Sequence, residues 1–262
     1  MSLENVRGLV LDLDGCVYVG QTPLPGAVDA VNRVKKHVRV VFMTNNSTLT
    51  RKQYADKLRK MGIETSADEI VTSGWVAARY IKKLKQDARI LAVGEDGIIV
   101  EATNIGLEVV DHQEWRKADF VVVGLDRTLT YDKLAHASLA VLSGAKFVAT
   151  HLDHVYPSEK GFLPGAGSIA AMISTATGVK PVAVGKPMKE SSLQALELLQ
   201  LPKEQVVFVG DRVDTDVEAA KIVGCRSVLV KTGAFEMFAA RSREADVVLE
   251  SIAALPDLLG LW

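Results

Sequence analysis

Short apolar, β-branched runs alternate with stretches of helical periodicity along nearly the whole chain. The runs predict strands at 8–12, 38–43, 89–93, 107–110, 119–124, 146–150, 181–184, 205–209, 226–230 and 247–249. Several, such as Val206-Val207-Phe208-Val209, are apolar at every position rather than at alternate ones. A strand reads that way when both faces of its sheet are covered, as in a parallel sheet between helix layers. The helical stretches carry their own punctuation. Thr50 and Gln53 form a capping-box pattern ahead of Tyr54, Leu58 and Met61, and Gly62 comes next as a stop. Ser73 is expected to cap a second helix through Val76, Tyr80 and Leu84. Thr130 begins a third, with Leu134, Ala137 and Val141 on one face, and Leu193 and Leu196 mark a fourth that ends before Pro202. Strand–helix alternation of this kind predicts an α/β architecture with right-handed crossovers.

Composition narrows the class. A chain of 262 residues allows one large domain or two modest ones, and it can bury a core without disulfides or structural metal. Its 31 Lys and Arg against 32 Asp and Glu lack the basic surplus of a dedicated nucleic-acid binder. With 48% hydrophobic and 24% charged residues, disorder is excluded too. Cys16 and Cys225 could make at most one bridge and are expected as reduced thiols. No run approaches the ~18 apolar residues of a membrane helix. Glu4 and Arg7 precede a short apolar run that Asp12 interrupts, so no signal peptide is expected and the expected setting is cytoplasmic. Lys82, Lys83 and Lys85 read as a solvated helix face, and His37, His112 and His136 as surface residues.

Four of the expected strands carry reactive residues at their carboxyl ends. The first runs into Asp12-Leu13-Asp14-Gly15. Alternation aims Asp12 and Asp14 the same way. Two like charges so close are costly unless a cation or a proton separates them; the plainer reading is a turn. The second ends in Thr44-Asn45-Asn46-Ser47, whose hydroxyl, amides and backbone N–H groups suit phosphate oxygens; otherwise it is a polar loop leading to Thr50. Val184-Gly185-Lys186-Pro187 offers a lysine that could balance a carboxylate or a phosphate, without the glycine spacing of a P-loop. The run 206–209 leads to Gly210-Asp211-Arg212-Val213-Asp214-Thr215-Asp216, carboxylates that suit octahedral Mg²⁺. Asp216 reads alternatively as the cap of a helix over 216–223 stopped by Gly224. Ligands of parallel sheets bind at the carboxyl ends of strands, so the four sets point to one place.

In this order D-L-D-G (12–15), T-N-N-S (44–47), G-K-P (185–187) and G-D-R-V-D-T-D (210–216) resemble the four motifs of the haloacid dehalogenase (HAD) superfamily phosphohydrolases. The gap between Asp14 and Thr44 has room for one helix and no cap, whereas the gap from Thr44 to Lys186 has room for a whole domain. That arrangement is similar to the NagD-like, or 4-nitrophenylphosphatase-like, branch, which inserts an α/β cap of the C2 type between motifs two and three. T-S-G (72–74), V-V-G-L-D (122–126) and P-G-A-G-S (164–168) are similar to the same branch. The resemblance implies a Rossmann-like doubly wound parallel sheet as the catalytic core, at 1–85 and 179–262, and an inserted cap at 86–178 that selects the substrate.

The chemistry that the resemblance implies is Mg²⁺-dependent hydrolysis of small phosphate monoesters through an aspartyl phosphate. Asp12 is then the nucleophile and Asp14 the general acid and base. The Asp12 carboxylate, the Asp14 backbone carbonyl and Asp211 hold the cation. Thr44, Asn45, Asn46 and Lys186 bind phosphate, and Asp216 orients Lys186 or metal-bound water. Asp14 argues against dehalogenation, because the superfamily's dehalogenases lack the second aspartate. Two departures stand out: Cys16 occupies a position that is often threonine, and Thr150-His151-Leu152-Asp153 resembles the branch's T-N-x-D loop with His in place of Asn. By resemblance His151 and Asp153 face the substrate; with His154 they also read as metal ligands. The expected partner is a small phosphorylated metabolite, with no nucleic acid and no membrane, and the resemblance is compatible with a homodimer. Other readings are a phosphotransferase or mutase, and a non-catalytic phosphate-ligand sensor.

Overall fold

The computed structural model describes Leu3, residues 5–158 and residues 161–261; Glu4 lies outside the described residues. Every expected strand is present to within two residues at each end. The chain divides into two compact units. One comprises Met1–Thr44, Lys52–Val71 and Lys186–Trp262; the other comprises Asn45–Arg51 and Thr72–Gly185. The expected cap span 86–178 lies inside the second unit, which also takes in residues 45–51, 72–85 and 179–185, all expected in the core. Strand Val182–Ala183, expected to lead Lys186 to the core sheet, pairs with Lys146–Ala149 in the second unit instead.

The first unit is built on a six-stranded sheet ordered Val247–Leu249, Arg226–Val230, Val206–Gly210, Gly8–Leu11, Arg39–Thr44, Ile70–Thr72. Gly8–Leu11 pairs in parallel with both neighbours, Leu11 opposite Val209 on one side and Phe42 on the other. This register fixes the site. Strands that are parallel and level bring the residues after Leu11, Phe42 and Val209 to the same sheet edge. Leu9, Leu11, Phe42, Phe208 and Val209 are buried, as their continuous apolar runs require. Ile70–Thr72 escapes the sequence pattern because three residues leading straight into a helix show no periodicity.

Two helices of this unit differ from expectation. In Lys189–Leu199 the buried positions are Ser191, Ser192, Ala195 and Leu199, while Leu193 is exposed. The Ser192 hydroxyl donates to the Ala219 carbonyl, a close approach to helix Glu218–Val223 that a leucine would block. Asp216 does not cap the helix expected over 216–223. A wide turn at Val213–Val217 precedes Glu218–Val223, and Gly224 (φ 74°) closes it.

The second unit holds a five-stranded parallel sheet ordered Val182–Ala183, Lys146–Ala149, Phe120–Val123, Arg89–Val93, Glu108–Val109. Leu91, Val93, Val121, Val123, Phe147, Ile169 and Ile173 pack its core. Thr130 caps helix Tyr131–Leu142 as expected, its hydroxyl accepting from Lys133 N. Helix Ser73–Leu84 is capped by Thr72, which accepts from Trp75 N, and not by Ser73. The Ser73 hydroxyl instead donates to the Asn45 carbonyl. His112 and His136 are half-buried rather than on the surface, their ring centroids 6.5 Å apart. Among the described residues no helix is long and apolar enough to cross a membrane.

Candidate active site

At the carboxyl edge of the first unit's sheet a buried lysine joins two acids. Asp12 leaves strand Gly8–Leu11 with its N–H on the Val209 carbonyl, 2.8 Å away. Lys186 Nζ donates to Asp12 Oδ1, to Asp216 Oδ1 at 2.6 Å and to the Met43 carbonyl at 3.2 Å. Asp216 Oδ2 accepts from Arg212 N at 3.1 Å, so the wide turn serves to aim this carboxylate at the lysine. Asp211, at the end of Val206–Gly210, is held by Ala234 N–H at 2.6 Å. Oxygens of Asp12, Asp211 and Asp216 lie within 4.8 Å of one another.

Burial pushes the Asp12 carboxyl well above the usual carboxylate range; Lys186 opposes the shift, while Asp216 and Asp211 add to it. Asp211 is pushed up to about 7, first by burial and then by Asp216. Burial also opposes the charge on Lys186, but Asp12 and Asp216 outweigh it and hold the ammonium above the ordinary lysine value. Three carboxylates against one ammonium leave two negative charges unmatched. Hard carboxylate oxygens with a surplus of two charges suit a hard divalent cation, which would relieve the repulsion that raises Asp12 and Asp211. Lys186 takes one oxygen of Asp12, but both oxygens of Asp216 are committed, Oδ1 to Lys186 and Oδ2 to Arg212 N, so Asp12 and Asp211 are the acids left to coordinate.

Asp14 lies apart from this cluster. Its side chain is exposed at the rim yet crowded below, and that desolvation raises its carboxyl against the opposing pull of Lys57. Tyr18 OH gives it a long hydrogen bond of 3.4 Å, and the Thr44 hydroxyl bonds it as well. Lys57 Nζ sits 3.5 Å from the centroid of the Tyr18 ring. The strand alternation expected to aim Asp12 and Asp14 alike does not apply, because the strand ends at Leu11. Tyr18 and Lys57 carried no sequence signal: one begins the two-residue strand Tyr18–Val19 of a small hairpin, the other lies on an otherwise ordinary helix. Thr232-Gly233-Ala234 did carry one, since it comes after strand Arg226–Val230 just as the four motifs come after theirs. Thr232 Oγ1 donates to the Gly15 carbonyl at 2.6 Å, beside the Ala234 bond to Asp211.

Asn45, Asn46, His151 and Asp153 belong to the second unit. Asn46 Oδ1 accepts from Thr48 N and Oγ1 at 3.0 and 2.8 Å, which shapes the 45–51 loop. Asp153 Oδ2 accepts from Asn45 Nδ2 at 3.2 Å and lies 2.9 Å from His151 Nδ1. The metal-ligand reading of His151, Asp153 and His154 is not matched: among the described residues the cluster able to hold a cation is Asp12, Asp211 and Asp216.

A family model for haloacid dehalogenase-like hydrolases matches residues 9–108, and a HAD-hydrolase-like model matches residues 183–255. The chain is 39% identical over 232 residues to an acid sugar phosphatase of Staphylococcus haemolyticus, covering 88% of this chain and 87% of that one. Among solved structures it is similar to a p-nitrophenyl phosphatase from Archaeoglobus fulgidus, with a TM-score of 0.90, 34% identity and coverage of 97% and 99%. A 4-nitrophenylphosphatase from Thermotoga maritima superposes with a TM-score of 0.90, 36% identity and coverage of 98% of each chain. The α/β fold agrees with these matches, and the chain belongs to the haloacid dehalogenase-like hydrolases.

Proposed function

We propose that this hydrolase cleaves small phosphate monoesters, with sugar phosphates and aryl phosphates as the first classes to try, and that its cation is Mg²⁺. The observation that carries the reading is the buried Lys186 between Asp12 and Asp216 with Asp211 alongside. Asp12 attacks phosphorus and forms an aspartyl phosphate. Lys186 matches the charge of Asp12 and of the incoming phosphoryl group, and Asp216 keeps it aimed. Asp14, at the exposed rim with its proton affinity raised, protonates the departing oxygen and then takes a proton from the water that releases phosphate. Thr44 and Asn45 hold phosphate oxygens. The carboxylates of Asp12 and Asp211, with the Asp14 carbonyl, would hold the cation; when bound it neutralises charge between nucleophile and phosphate. The segments Asn45–Arg51 and Thr72–Gly185 supply the substrate choice in this reading. Free thiols at Cys16 and Cys225 fit a reducing cytoplasm.

Purified protein with Mg²⁺ should release free phosphate, and not a phosphorylated acceptor, from 4-nitrophenyl phosphate and from members of a sugar-phosphate panel. Asp12→Asn should lower turnover by more than about a thousandfold, as loss of a covalent nucleophile does, with the thermal unfolding midpoint preserved. Retained turnover in that variant would sink the mechanism. Binding of phosphate esters without turnover would favour a sensor.

A further inference from the structure

The loop that departs from the family's pattern at His151 does something specific inside the second unit. Asp153 Oδ2 accepts from Asn45 Nδ2 at 3.2 Å and lies 2.9 Å from His151 Nδ1. Asp153 N also lies 3.3 Å from His151 Nδ1, but one ring nitrogen cannot both donate to the carboxylate and accept from the backbone. Either contact ties the ring to Asp153, and His151 is buried, so water does not compete for it.

The backbone beneath this trio is built for close approach. The Asp153 carbonyl accepts from Gly167 N at 2.9 Å, and the His154 carbonyl from Gly165 N at 2.7 Å and Ser168 Oγ at 2.6 Å. A Cβ on Gly165 would overlap the Asp153 carbonyl, and one on Gly167 the Leu152 carbonyl. The P-G-A-G-S phrase is therefore a seat for the 152–154 loop. On the other side, a Cβ on Gly185 would overlap the Thr150 carbonyl and come within 2.7 Å of Asn45 Oδ1. The Asn45 amide is thus held at its nitrogen by a carboxylate, and the missing side chain at Gly185 leaves room for its oxygen. A carboxylate that takes one Nδ2 hydrogen fixes the plane and the polarity of the whole amide.

We infer that His151 and Asp153 are positioning residues for Asn45, setting its amide to receive phosphate oxygens, rather than contacts to the leaving group. This rests on the phosphatase reading, in which Asn45 binds phosphate. Inorganic phosphate separates the two roles because it has no leaving group. The full-length protein with Mg²⁺ is assayed for competitive inhibition by inorganic phosphate, and for kcat/KM on 4-nitrophenyl phosphate and a hexose phosphate.

Asp153→Ala should weaken phosphate inhibition about ten- to a hundredfold, the worth of a hydrogen bond to a charged group. It should lower kcat/KM on both esters by one common factor. Asn45→Ala/Asp153→Ala should be no worse than Asn45→Ala alone. Asp153→Asn, whose amide oxygen still accepts from Asn45, should recover part of the loss, and His151→Ala should show a weaker form of the same uniform loss. Unchanged phosphate inhibition in Asp153→Ala, losses that differ between the two esters, or multiplying losses in the double variant would each overturn the inference. Should Asp153→Ala unfold, Asp153→Asn and His151→Ala carry the same comparison. A wild type that neither hydrolyses esters nor is inhibited by phosphate overturns the phosphatase reading, and this inference with it. An active wild type indifferent to Asn45→Ala overturns the positioning role alone.

Discussion

Lys186 is 4% exposed, and a cation there survives only because Asp12 and Asp216 face it. The reverse does not hold for the acids. Asp12 and Asp211 outnumber their cation, and their carboxyls lie above the ordinary range. That excess sets the sign of the pH dependence. Between the unfolded value near 3.8 and about 7, the native protein holds more protons on Asp211 than the unfolded chain does. This group therefore costs stability as pH rises through that window, unless a divalent cation displaces the proton. In chelator the unfolding midpoint should fall between pH 5 and pH 7.5, and the increment given by Mg²⁺ should be larger at pH 7.5. Each displaced proton steepens cation affinity by up to about tenfold per pH unit. Asp12→Asn, which removes one repelled charge and leaves Lys186 with Asp216 and the Met43 carbonyl, should unfold in chelator no earlier than wild type at pH 7.5. A cation increment equal at both pH values, or an Asp12→Asn midpoint well below wild type, would contradict repulsion among these acids.

Elements explain why some of this was legible in the chain and some was not. Parallel strands buried on both faces write themselves as apolar runs, so their ends, and the acids and threonine beyond them, could be located from the sequence, whereas Lys186 follows the short, partly exposed strand Val182–Ala183 of the other sheet. Helix faces were less legible. Lys189–Leu199 turns serines inward to meet another helix, and hydrophobic spacing pointed to the exposed Leu193. Adjacent Thr72 and Ser73 are equally good caps on paper; the tertiary bond from Ser73 to the Asn45 carbonyl decides between them. The loops that seat Asp211 depend on backbone closeness. Gly15 (φ 92°) and Gly233 (φ 56°) both lie where a Cβ would run into the Asp211 carboxylate. Gly15→Ala adds strain of about 1–3 kcal/mol in that backbone region. It should weaken Mg²⁺ binding by about tenfold or more, by the same energy scale. Calorimetric titration of Mg²⁺ into the variant checks this. Unchanged affinity would mean that Asp211 is not a ligand or that the loop yields freely.

At the scale of the whole molecule, motif two is split. Thr44 ends a strand of the first unit, and Asn45 opens the second. The motif read as one phrase because sequence is contiguous, while packing assigns its halves to different bodies. The acids proposed to coordinate, Asp12 and Asp211, and the loop that seats Asp211 at 232–234, all belong to the first unit. A ligand stabilises whatever must unfold to release it, by about 2.7 kcal/mol at a hundred times its Kd. Hydrogen exchange with and without Mg²⁺ therefore reads which body carries the site. Protection should rise in Gly8–Leu11, Val206–Gly210 and the 232–234 loop. Strands Arg89–Val93 and Phe120–Val123, whose hydrogen bonds close within their own sheet, should exchange at unchanged rates. An equal gain in both sheets would show the two bodies opening as one cooperative unit. A gain confined to the second would move the cation away from Asp12 and Asp211.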